Sequence, residues 1–333
     1  MTSLLQRGAL ALVCVCALGC SLLPGGHTFD VVVLGGAGGL EEDNLTAFLL
    51  APKGGRDFVA LDAGTLRAGI ARAMERGTLP RVDDGKRPAE EAFLRDHVKA
   101  YLVSHAHLDH VSGLIINSVE DTQKPVFGTM GTLGMLRDHA FNWKLWPNMT
   151  DSGSAPLGRY QLTPVADGPK TIAGTPFTVE AYPLSHGAPY RSSAFLVRHG
   201  KDAVLYLGDT GPDAVENSTL LTELWLTVAP VIRAGGLKAI FLECSYPDGR
   251  ADKELFGHLT PKWFMEELGR LGRIVNAEEP DGVLRGITVV VTHIKPGVVD
   301  GKDTRLIIQK QLERANKLGV RLVVPQTGDR LAL

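Results

Sequence analysis

The sequence places three histidines and one aspartate within six residues, directly after a short apolar segment. His105 to His110 reads HAHLDH and follows KAYLV, which predicts a buried strand over 99–103. At a strand end, side-chain alternation directs His105 and His107 to one side, where both imidazoles can reach one cation. Asp109 and His110 begin the next element and are directed to a neighbouring position. Buried imidazoles need polar partners, so this pattern favours a fold that gathers further ligands around the strand end.

Three more residues of metal-binding types follow predicted strands further along the chain, namely His186, Asp209 and His293. The resulting prediction is a pair of divalent metal sites, the first held by His105, His107 and His186 and the second by Asp109, His110 and His293. Asp209 is expected to bridge the sites, since a carboxylate has two oxygens. These donors suit Zn²⁺ best, and also Mn²⁺ or Fe²⁺. A solvated polar loop is the alternative interpretation of HAHLDH.

The predicted strands outnumber the helices and are joined by both hairpin and strand–helix connections. This favours an α/β (α+β) fold of four layers, in which two mixed sheets pack together and helices flank them. A doubly wound sheet with a dinucleotide site is disfavoured, because the glycines of 35–39 miss the G-x-G-x-x-G spacing. Residues 77–97 are charged and contain proline, so we expect a surface excursion there. Residues 213–233 predict a long helical stretch that Pro230 bends.

Composition limits the classes of partner. The chain has 333 residues, of which 44% are hydrophobic and 22% are charged, and this excludes a disordered or fibrous chain. The formal net charge is −2, which removes the general electrostatic attraction to nucleic acid. Two divalent ions, two aspartates and one hydroxide would leave a local charge of about +1. That charge suits a phosphodiester monoanion, and also a polarised amide or lactone carbonyl.

The N-terminus is typical of an exported protein. An apolar run ends in Ala17-Leu18-Gly19-Cys20, and this box resembles a bacterial lipoprotein processing site. The resemblance implies cleavage before Cys20 and a lipid on that cysteine, whereas an ordinary signal peptide cut nearby is the alternative. We therefore expect a signal peptide over 1–19, a tether over 20–28 and one domain over 29–333. The expected location is the periplasm or a membrane, the outer membrane included, with Cys20 as the membrane anchor.

Several sequence blocks resemble one family of hydrolases. The ligand pattern is similar to that of the metallo-β-lactamase superfamily, and HAHLDHVSGLIINS over 105–118 resembles the signature of class II 3′,5′-cyclic-nucleotide phosphodiesterases. Further blocks that resemble this family are Gly38-Gly39 with Asn44, LDAG over 61–64, FNWKLWP over 141–147, Glu243-Cys244-Ser245 and THIKP over 292–296. The similarity covers nearly all of residues 29–333.

The resemblance implies a metallo-β-lactamase-like αββα sandwich. It also implies cleavage of the 3′ ester bond of cyclic AMP, cyclic GMP or both, which gives the 5′-nucleoside monophosphate. A hydroxide held between the two metal ions would attack phosphorus in line with the departing 3′ oxygen. One alternative is another hydrolase on the same scaffold, acting on a lactam, a lactone or a different phosphodiester. The other is a zinc-binding lipoprotein without enzymatic activity. The oligomeric state is open, a homodimer included.

The resemblance also suggests roles outside the ligand set. His258 is similar to the acid histidine of related phosphodiesterases, and we expect it to protonate the leaving oxygen while Glu243 orients it. A histidine bonded to the backbone at a helix start is the alternative. Asp109 is expected to act in catalysis as well as in metal binding. Asp62 ends a predicted strand, and we expect it to accept a hydrogen bond from a ligand histidine or from the motif loop. A turn aspartate with Gly64 is the alternative. The substrate-binding candidates, for which core packing or solvent exposure is the alternative, are Asn142, Trp146 and Lys295.

Overall fold

A computed structural model describes residues 26–166 and 168–333 of the chain. The predicted signal peptide over 1–19 and Cys20 lie outside these residues, as does most of the predicted tether. The described end of the tether contacts the domain, because Thr28 donates its backbone N–H to the carbonyl of Leu333 at 2.6 Å. Within the described residues, no helix combines the length and the apolar character that crossing a membrane requires.

Sixteen strands lie in the described residues, and fourteen of them form two sheets. In chain order the strands are β1 (Phe29–Gly35), β2 (Ala47–Pro52), β3 (Phe58–Leu61), β4 (Val98–Leu102), β5 (Lys124–Gly128), β6 (Tyr160–Pro164), β7 (Lys170–Thr171), β8 (Thr178–Ser185), β9 (Arg191–His199), β10 (Asp202–Leu207), β11 (Leu237–Glu243), β12 (Thr288–Thr292), β13 (Val298–Val299), β14 (Lys302–Asp303), β15 (Arg321–Val323) and β16 (Arg330–Ala332). β1 and β12 are buried along their whole length, and their runs of three valines are typical of strands covered on both faces.

Each sheet has seven strands and is mixed. The first has the order β16-β1-β2-β3-β4-β5-β6, with antiparallel pairing from β16 to β3 and parallel pairing from β3 to β6. The second has the order β15-β12-β11-β10-β9-β8-β7, with parallel pairing from β15 to β10 and antiparallel pairing from β10 to β7. The short strands β13 and β14 form a separate hairpin.

Eight α-helices lie in the described residues, and most of them cover the outer faces of the sheets. They are α1 (Arg67–Glu75), α2 (Ala89–His97), α3 (Leu108–Asn117), α4 (Met130–Met135), α5 (Asp213–Glu216), α6 (Leu220–Arg233), α7 (Pro261–Val275) and α8 (Thr304–Ala315). A π-helical turn over Leu136–Ala140 extends α4.

Three clusters of buried side chains define the layers. Between the two sheets, Phe48, Tyr206 and Phe241 pack with ring centroids 5.4 to 6.1 Å apart. A second cluster joins the first sheet to the helices of the N-terminal half and includes Leu114. A third joins the second sheet to α6, α7 and α8 and includes Trp225. The predicted arrangement of two mixed sheets between layers of helices is confirmed.

The surface excursion predicted over 77–97 is wrong in its second half. Ala89–His97 forms helix α2, which buries Phe93 and Leu94 against the first sheet. The many charges of this segment lie on the opposite, solvent-facing side, so they conceal a short apolar stripe.

The long helical stretch predicted over 213–233 is interrupted. Asn217 adopts a φ of 50° and ends α5, and α6 begins again at Leu220. The chain therefore turns at Asn217, which tolerates the left-handed region, while Pro230 lies inside α6.

Candidate metal centre

The predicted ligand residues all follow the carboxyl ends of strands at one edge of the sandwich. HAHLDH comes shortly after β4, His186 follows β8, Asp209 comes two residues after β10, and His293 follows β12. β8, β10 and β12 run in the same direction, because β9 lies antiparallel between β8 and β10. The topology therefore brings side chains from distant parts of the sequence to one place.

The first group of ligand atoms contains three imidazole nitrogens and one carboxylate. His107 Nδ1 lies 3.1 Å from His105 Nε2 and 3.2 Å from His186 Nε2. Asp209 Oδ2 lies 3.7 Å from the Nε2 atoms of His105 and His186. All ligand atoms of this group lie within 4.8 Å of one another. Because a neutral imidazole has only one N–H, three ring nitrogens around one point favour a cation at that point.

The second group shares Asp209 with the first and adds Asp109, His110 and His293. His293 Nε2 lies 3.1 Å from Asp109 Oδ2 and 3.0 Å from Asp209 Oδ2. His110 Nε2 lies 3.3 Å from Asp209 Oδ1. Asp209 therefore lies between the two groups, in a position that suits a bridging carboxylate.

The surroundings of His110 show whether a cation fits between these ligand groups. The residue is fully buried, and among the described residues its Nε2 has no hydrogen-bond partner. Its Nδ1 lies 2.8 Å from Asp62 Oδ2, so Nε2 is the nitrogen that faces the ligand groups. A buried ring nitrogen without a partner is unfavourable unless a ligand fills the space in front of it. The two groups thus fit divalent metal ions.

The local electrostatics keep most of these histidines in the form that binds metal. Burial lowers the pKa of His105 and His186, and burial together with neighbouring histidines lowers the pKa of His107 to about 4. Neutral imidazole is the ligand form. Burial also opposes charge on His110, but the neighbouring carboxylates, above all Asp209, raise its pKa. A metal ion in front of Nε2 would replace that proton.

Asp62 supports the ligands from behind. It is fully buried and accepts hydrogen bonds from the backbone N–H of Ser104 at 2.7 Å and the hydroxyl of Tyr206 at 2.6 Å, in addition to its contact with His110. The contacts expected from the sequence, with a ligand histidine and with the motif loop, are both present. They fix the ring of His110 with Nε2 directed at the ligand groups.

Three other ligand histidines are held through Nδ1 as well, which leaves Nε2 for a metal ion. The partners are the hydroxyl of Ser104 for His105 at 3.0 Å, the carbonyl of Gly257 for His186 at 2.9 Å and the hydroxyl of Ser245 for His293 at 2.9 Å.

Two glycines let the backbone approach these rings closely. A side chain at Gly38 would place its Cβ 2.4 Å from His293 Nδ1, and one at Gly257 would lie 2.7 Å from His186 Nδ1. Gly257 also has a φ of 79°. Both positions therefore require glycine if the two rings are to keep their places.

His107 is the exception, since it presents Nδ1 to the ligand groups and is held by a residue that the sequence analysis missed. Its ring stacks on Tyr190, with centroids 4.5 Å apart and an angle of 9° between the planes. The hydroxyl of Tyr190 accepts a hydrogen bond from the backbone N–H of Ala106 at 3.2 Å. Tyr190 follows His186 by four residues, and this proximity in the sequence was the available signal.

Glu216 is a second residue that the sequence analysis missed. Its Oε2 accepts hydrogen bonds from the hydroxyl of Ser185 at 2.8 Å and from the backbone N–H of Gly187 at 2.9 Å. One carboxylate therefore fixes both neighbours of His186. No local sequence pattern marks Glu216, which is one of two acidic residues in the short helix α5.

His258 and Glu243 form a pair beside the second group. His258 Nδ1 lies 2.8 Å from Glu243 Oε1, and its ring stacks on that of His293 with centroids 5.1 Å apart. Glu243 also accepts hydrogen bonds from the hydroxyl of Ser245 at 2.7 Å and the backbone N–H of Thr210 at 3.1 Å. Burial lowers the pKa of His258, but the negative charge of Glu243 more than offsets this, so the net shift is upward. Glu243 thus engages His258 through Nδ1, and the hydrogen bonds among the described residues include none at its Nε2.

Glu243, His258 and His293 also lie close enough together to form a third ligand group. Their contacts favour a hydrogen-bond network over an ion. The oxygens of Glu243 already accept from N–H and O–H donors, and His293 directs Nε2 at the second group.

The three predicted substrate-binding residues have different surroundings. Asn142 Oδ1 accepts hydrogen bonds from the backbone N–H groups two and three residues further on, which closes a tight turn. The indole of Trp146 donates to the hydroxyl of Ser118 at 3.1 Å and packs against the first sheet. Lys295 Nζ donates to the carbonyl of Gly38 at 3.3 Å, beside the second group. Contact of these side chains with substrate stays a prediction.

Comparisons with known proteins agree with the geometry. The model of the family described as class II cAMP phosphodiesterases matches residues 29–328. The chain belongs to this family. A probable 3′,5′-cyclic-nucleotide phosphodiesterase of Yersinia pestis is 40% identical over 306 residues, which cover 90% of this chain and 88% of that protein. A 3′,5′-cyclic-nucleotide phosphodiesterase of Aliivibrio fischeri is 36% identical over 331 residues, which cover 98% of this chain and 99% of that protein.

Solved structures place this class II phosphodiesterase in the expected fold. Unliganded yeast PDE1 has a TM-score of 0.80 at 25% identity, over 92% of this chain and 100% of that one. The metallo-β-lactamase fold protein YhfI of Bacillus subtilis has a TM-score of 0.58 at 15% identity, over 92% and 99%, and shows the fold alone. The fold and the family that the sequence blocks implied are confirmed.

We expect Asp62→Asn to weaken metal binding by about 10- to 100-fold. Whichever way the new amide turns, its NH₂ group faces either Nδ1 of His110 or the backbone N–H of Ser104, and it cannot accept a hydrogen bond from them. Competition with a chelator of known affinity, using the purified phosphodiesterase, measures the change.

Asp121→Asn is the matched control. Asp121 is also buried, and it accepts hydrogen bonds from the hydroxyls of Tyr101 at 2.6 Å and Tyr160 at 2.9 Å, at the amino end of β5 and so opposite the ligand edge. This control should lower the melting temperature and leave metal affinity unchanged. Wild-type metal affinity in the Asp62→Asn protein would contradict the role given to Asp62.

Proposed function

We propose that this chain hydrolyses the 3′ ester bond of 3′,5′-cyclic AMP, cyclic GMP or both, and releases the 5′-nucleoside monophosphate. The observation that carries the proposal is the carboxylate of Asp209 shared between two ligand groups, with the His258–Glu243 pair beside them. Paired divalent ions suit displacement at phosphorus because they can stabilise both the attacking and the leaving oxygen. The family match and the names of the two bacterial relatives support the same reaction.

The proposed native ion is Zn²⁺, with Mn²⁺ or Fe²⁺ as alternatives. Five imidazoles and two carboxylates would hold the pair, and sets rich in imidazole are typical of zinc. When bound, the two ions supply positive charge for the phosphate and activate water at neutral pH.

The chain's own groups complete the proposed reaction. His258 donates the proton on Nε2 to the departing 3′ oxygen, while Glu243 holds the ring through Nδ1. The side chain of Asp109 is 19% exposed, against 3% for Asp209, so Asp109 is the ligand carboxylate that can orient the attacking water. Lys295 adds positive charge close to His258. A single in-line displacement of this kind inverts the configuration at phosphorus.

A panel of substrates, offered to purified and metal-loaded protein, tests the proposed function. We expect cyclic AMP or cyclic GMP to give the 5′-monophosphate as the sole nucleotide product on chromatography. A 3′-monophosphate would contradict cleavage of the 3′ ester bond. Turnover of a chromogenic cephalosporin or a lactone, but of no cyclic nucleotide, would favour another hydrolase. Tight metal binding without any turnover would favour a metal-binding protein.

His258→Ala should slow the hydrolysis of cyclic AMP by about 10²- to 10⁴-fold. It should slow the hydrolysis of bis-p-nitrophenyl phosphate much less, because p-nitrophenolate leaves without a proton whereas the 3′ alkoxide does not. The measurement is kcat for both substrates on the same preparation of the variant. The metal content of that preparation should equal that of the wild type.

His97→Ala serves as the control for this substitution. His97 ends α2, and its ring contacts the carbonyl of Arg56. Its replacement should leave both rates unchanged. Equal losses on both substrates in the His258→Ala protein would mean that His258 supports the ligand groups and does not donate a proton.

The proposed location is the periplasm or a membrane, the outer membrane included, with a lipid on Cys20. The sequence box supports this, and Cys20 lies outside the described residues. In a bacterial host, Cys20→Ser should move the protein from the membrane fraction to the soluble fraction, as followed by immunoblot. Wild-type protein already in the soluble fraction would contradict the anchor. Assembly into a homodimer stays a prediction.

A further inference from the structure

An apolar cavity of about 260 Å³ opens beside the first group of ligand atoms. The side chains of Leu108 and Leu145 in its wall are 67% and 62% exposed. Exposed apolar side chains that gather around a cavity indicate a surface for binding, since packing alone would bury them. The wall residues used below are His107, Leu108, Met135, His139, Leu145 and Tyr190.

The cavity and the first ligand group share His107. Its Nδ1 faces the other ligand histidines, and its ring contributes to the cavity wall next to Tyr190. A cyclic nucleotide is compact, because its phosphate ring is fused to the ribose. A phosphate held in front of His107 therefore leaves the base close by, within reach of this cavity.

The size and chemistry of the cavity suit a purine. Pockets for drug-sized ligands enclose roughly 300–1,000 Å³, so a slightly smaller cavity suits a single bicyclic ring. The ring of Tyr190 and the side chains of Met135 and Leu145 offer apolar surface to the faces of the base. The exposed ring of His139, when neutral, offers one N–H donor and one acceptor nitrogen to the base edge.

We propose that this cavity binds the purine base of the substrate, with Leu145 and Tyr190 as its walls and His139 as the polar contact to the base edge. The proposal rests on the proposed phosphodiesterase function. It places base recognition on Leu145, which lies between Asn142 and Trp146, the residues predicted from the sequence.

Two other surfaces near the ligands suit a base less well. The cleft of about 380 Å³ beside Glu216 is lined mainly by polar side chains and contains none of the ligand residues. Phe256 is 64% exposed near Gly187, but the guanidinium of Arg250 lies 5.7 Å from the centre of its ring. The exposed ring of Phe256 is nevertheless an alternative surface on which the base could stack, so the experiment includes a Phe256 variant.

The test compares kcat and KM for cyclic AMP with those for the base-free analogue, 1-deoxyribose 3′,5′-cyclic phosphate. In Leu145→Ala and His139→Ala, KM for cyclic AMP should rise about 5- to 100-fold with little change in kcat, because contacts with the base persist in the transition state. For the base-free analogue, the variants and the wild type should have the same KM. Leu226→Ala is the matched control, since Leu226 is 57% exposed on α6, and it should match the wild type on both substrates.

An unchanged KM for cyclic AMP in both cavity variants would overturn the proposal. An equal rise in KM for the base-free analogue would also overturn it, since the effect would then lie at the ligand groups. A larger rise in Phe256→Ala than in Leu145→Ala would assign the base to the other side of the centre. Failure of the proposed function looks different, because the wild type itself would then hydrolyse no cyclic nucleotide.

Discussion

Five imidazoles and two carboxylates converge at one edge of this sandwich, in two groups whose ligand atoms lie within 4.8 Å of one another. Removing so many polar groups from water is unfavourable unless each of them finds a partner. Hydrogen bonds within the set satisfy only some of these groups, and Nε2 of His110 has none among the described residues. A pair of cations resolves the conflict, because it takes up the facing lone pairs and offsets the charge of the aspartates. The surrounding structure serves to keep these donors in place.

The fold meets this requirement by mounting the donors on rigid strand ends. The strands β4, β10 and β12 are largely buried, so the short loops that follow them have little freedom. Behind the loops, Asp62, Ser104 and Ser245 fix the rings that face the cations. The open side of the centre is asymmetric. The His258–Glu243 pair lies on one flank and the apolar cavity on the other, which suits a substrate with a reactive ester and a flat base.

The clustering of the candidate ligands and the fold could be predicted because metal binding restricts residue type and strand ends restrict position. The helix α2 was harder to predict within its charged segment, since its apolar stripe consists only of Phe93, Leu94 and the preceding alanine. The role of Glu216 could not be predicted from the sequence, because its contacts with Ser185 and Gly187 exist only after the strands have packed. In the block FNWKLWP, Trp143 adopts a φ of 62°, and such a turn decides which neighbouring side chain faces the cavity. The spacing of residues in the sequence does not predict that turn.

The metal content of the purified wild-type chain, measured by elemental analysis after extensive dialysis, tests the paired centre most directly. A paired centre should retain two equivalents of divalent metal for each chain. A single equivalent, or none, in protein that is folded and catalytically competent would contradict it.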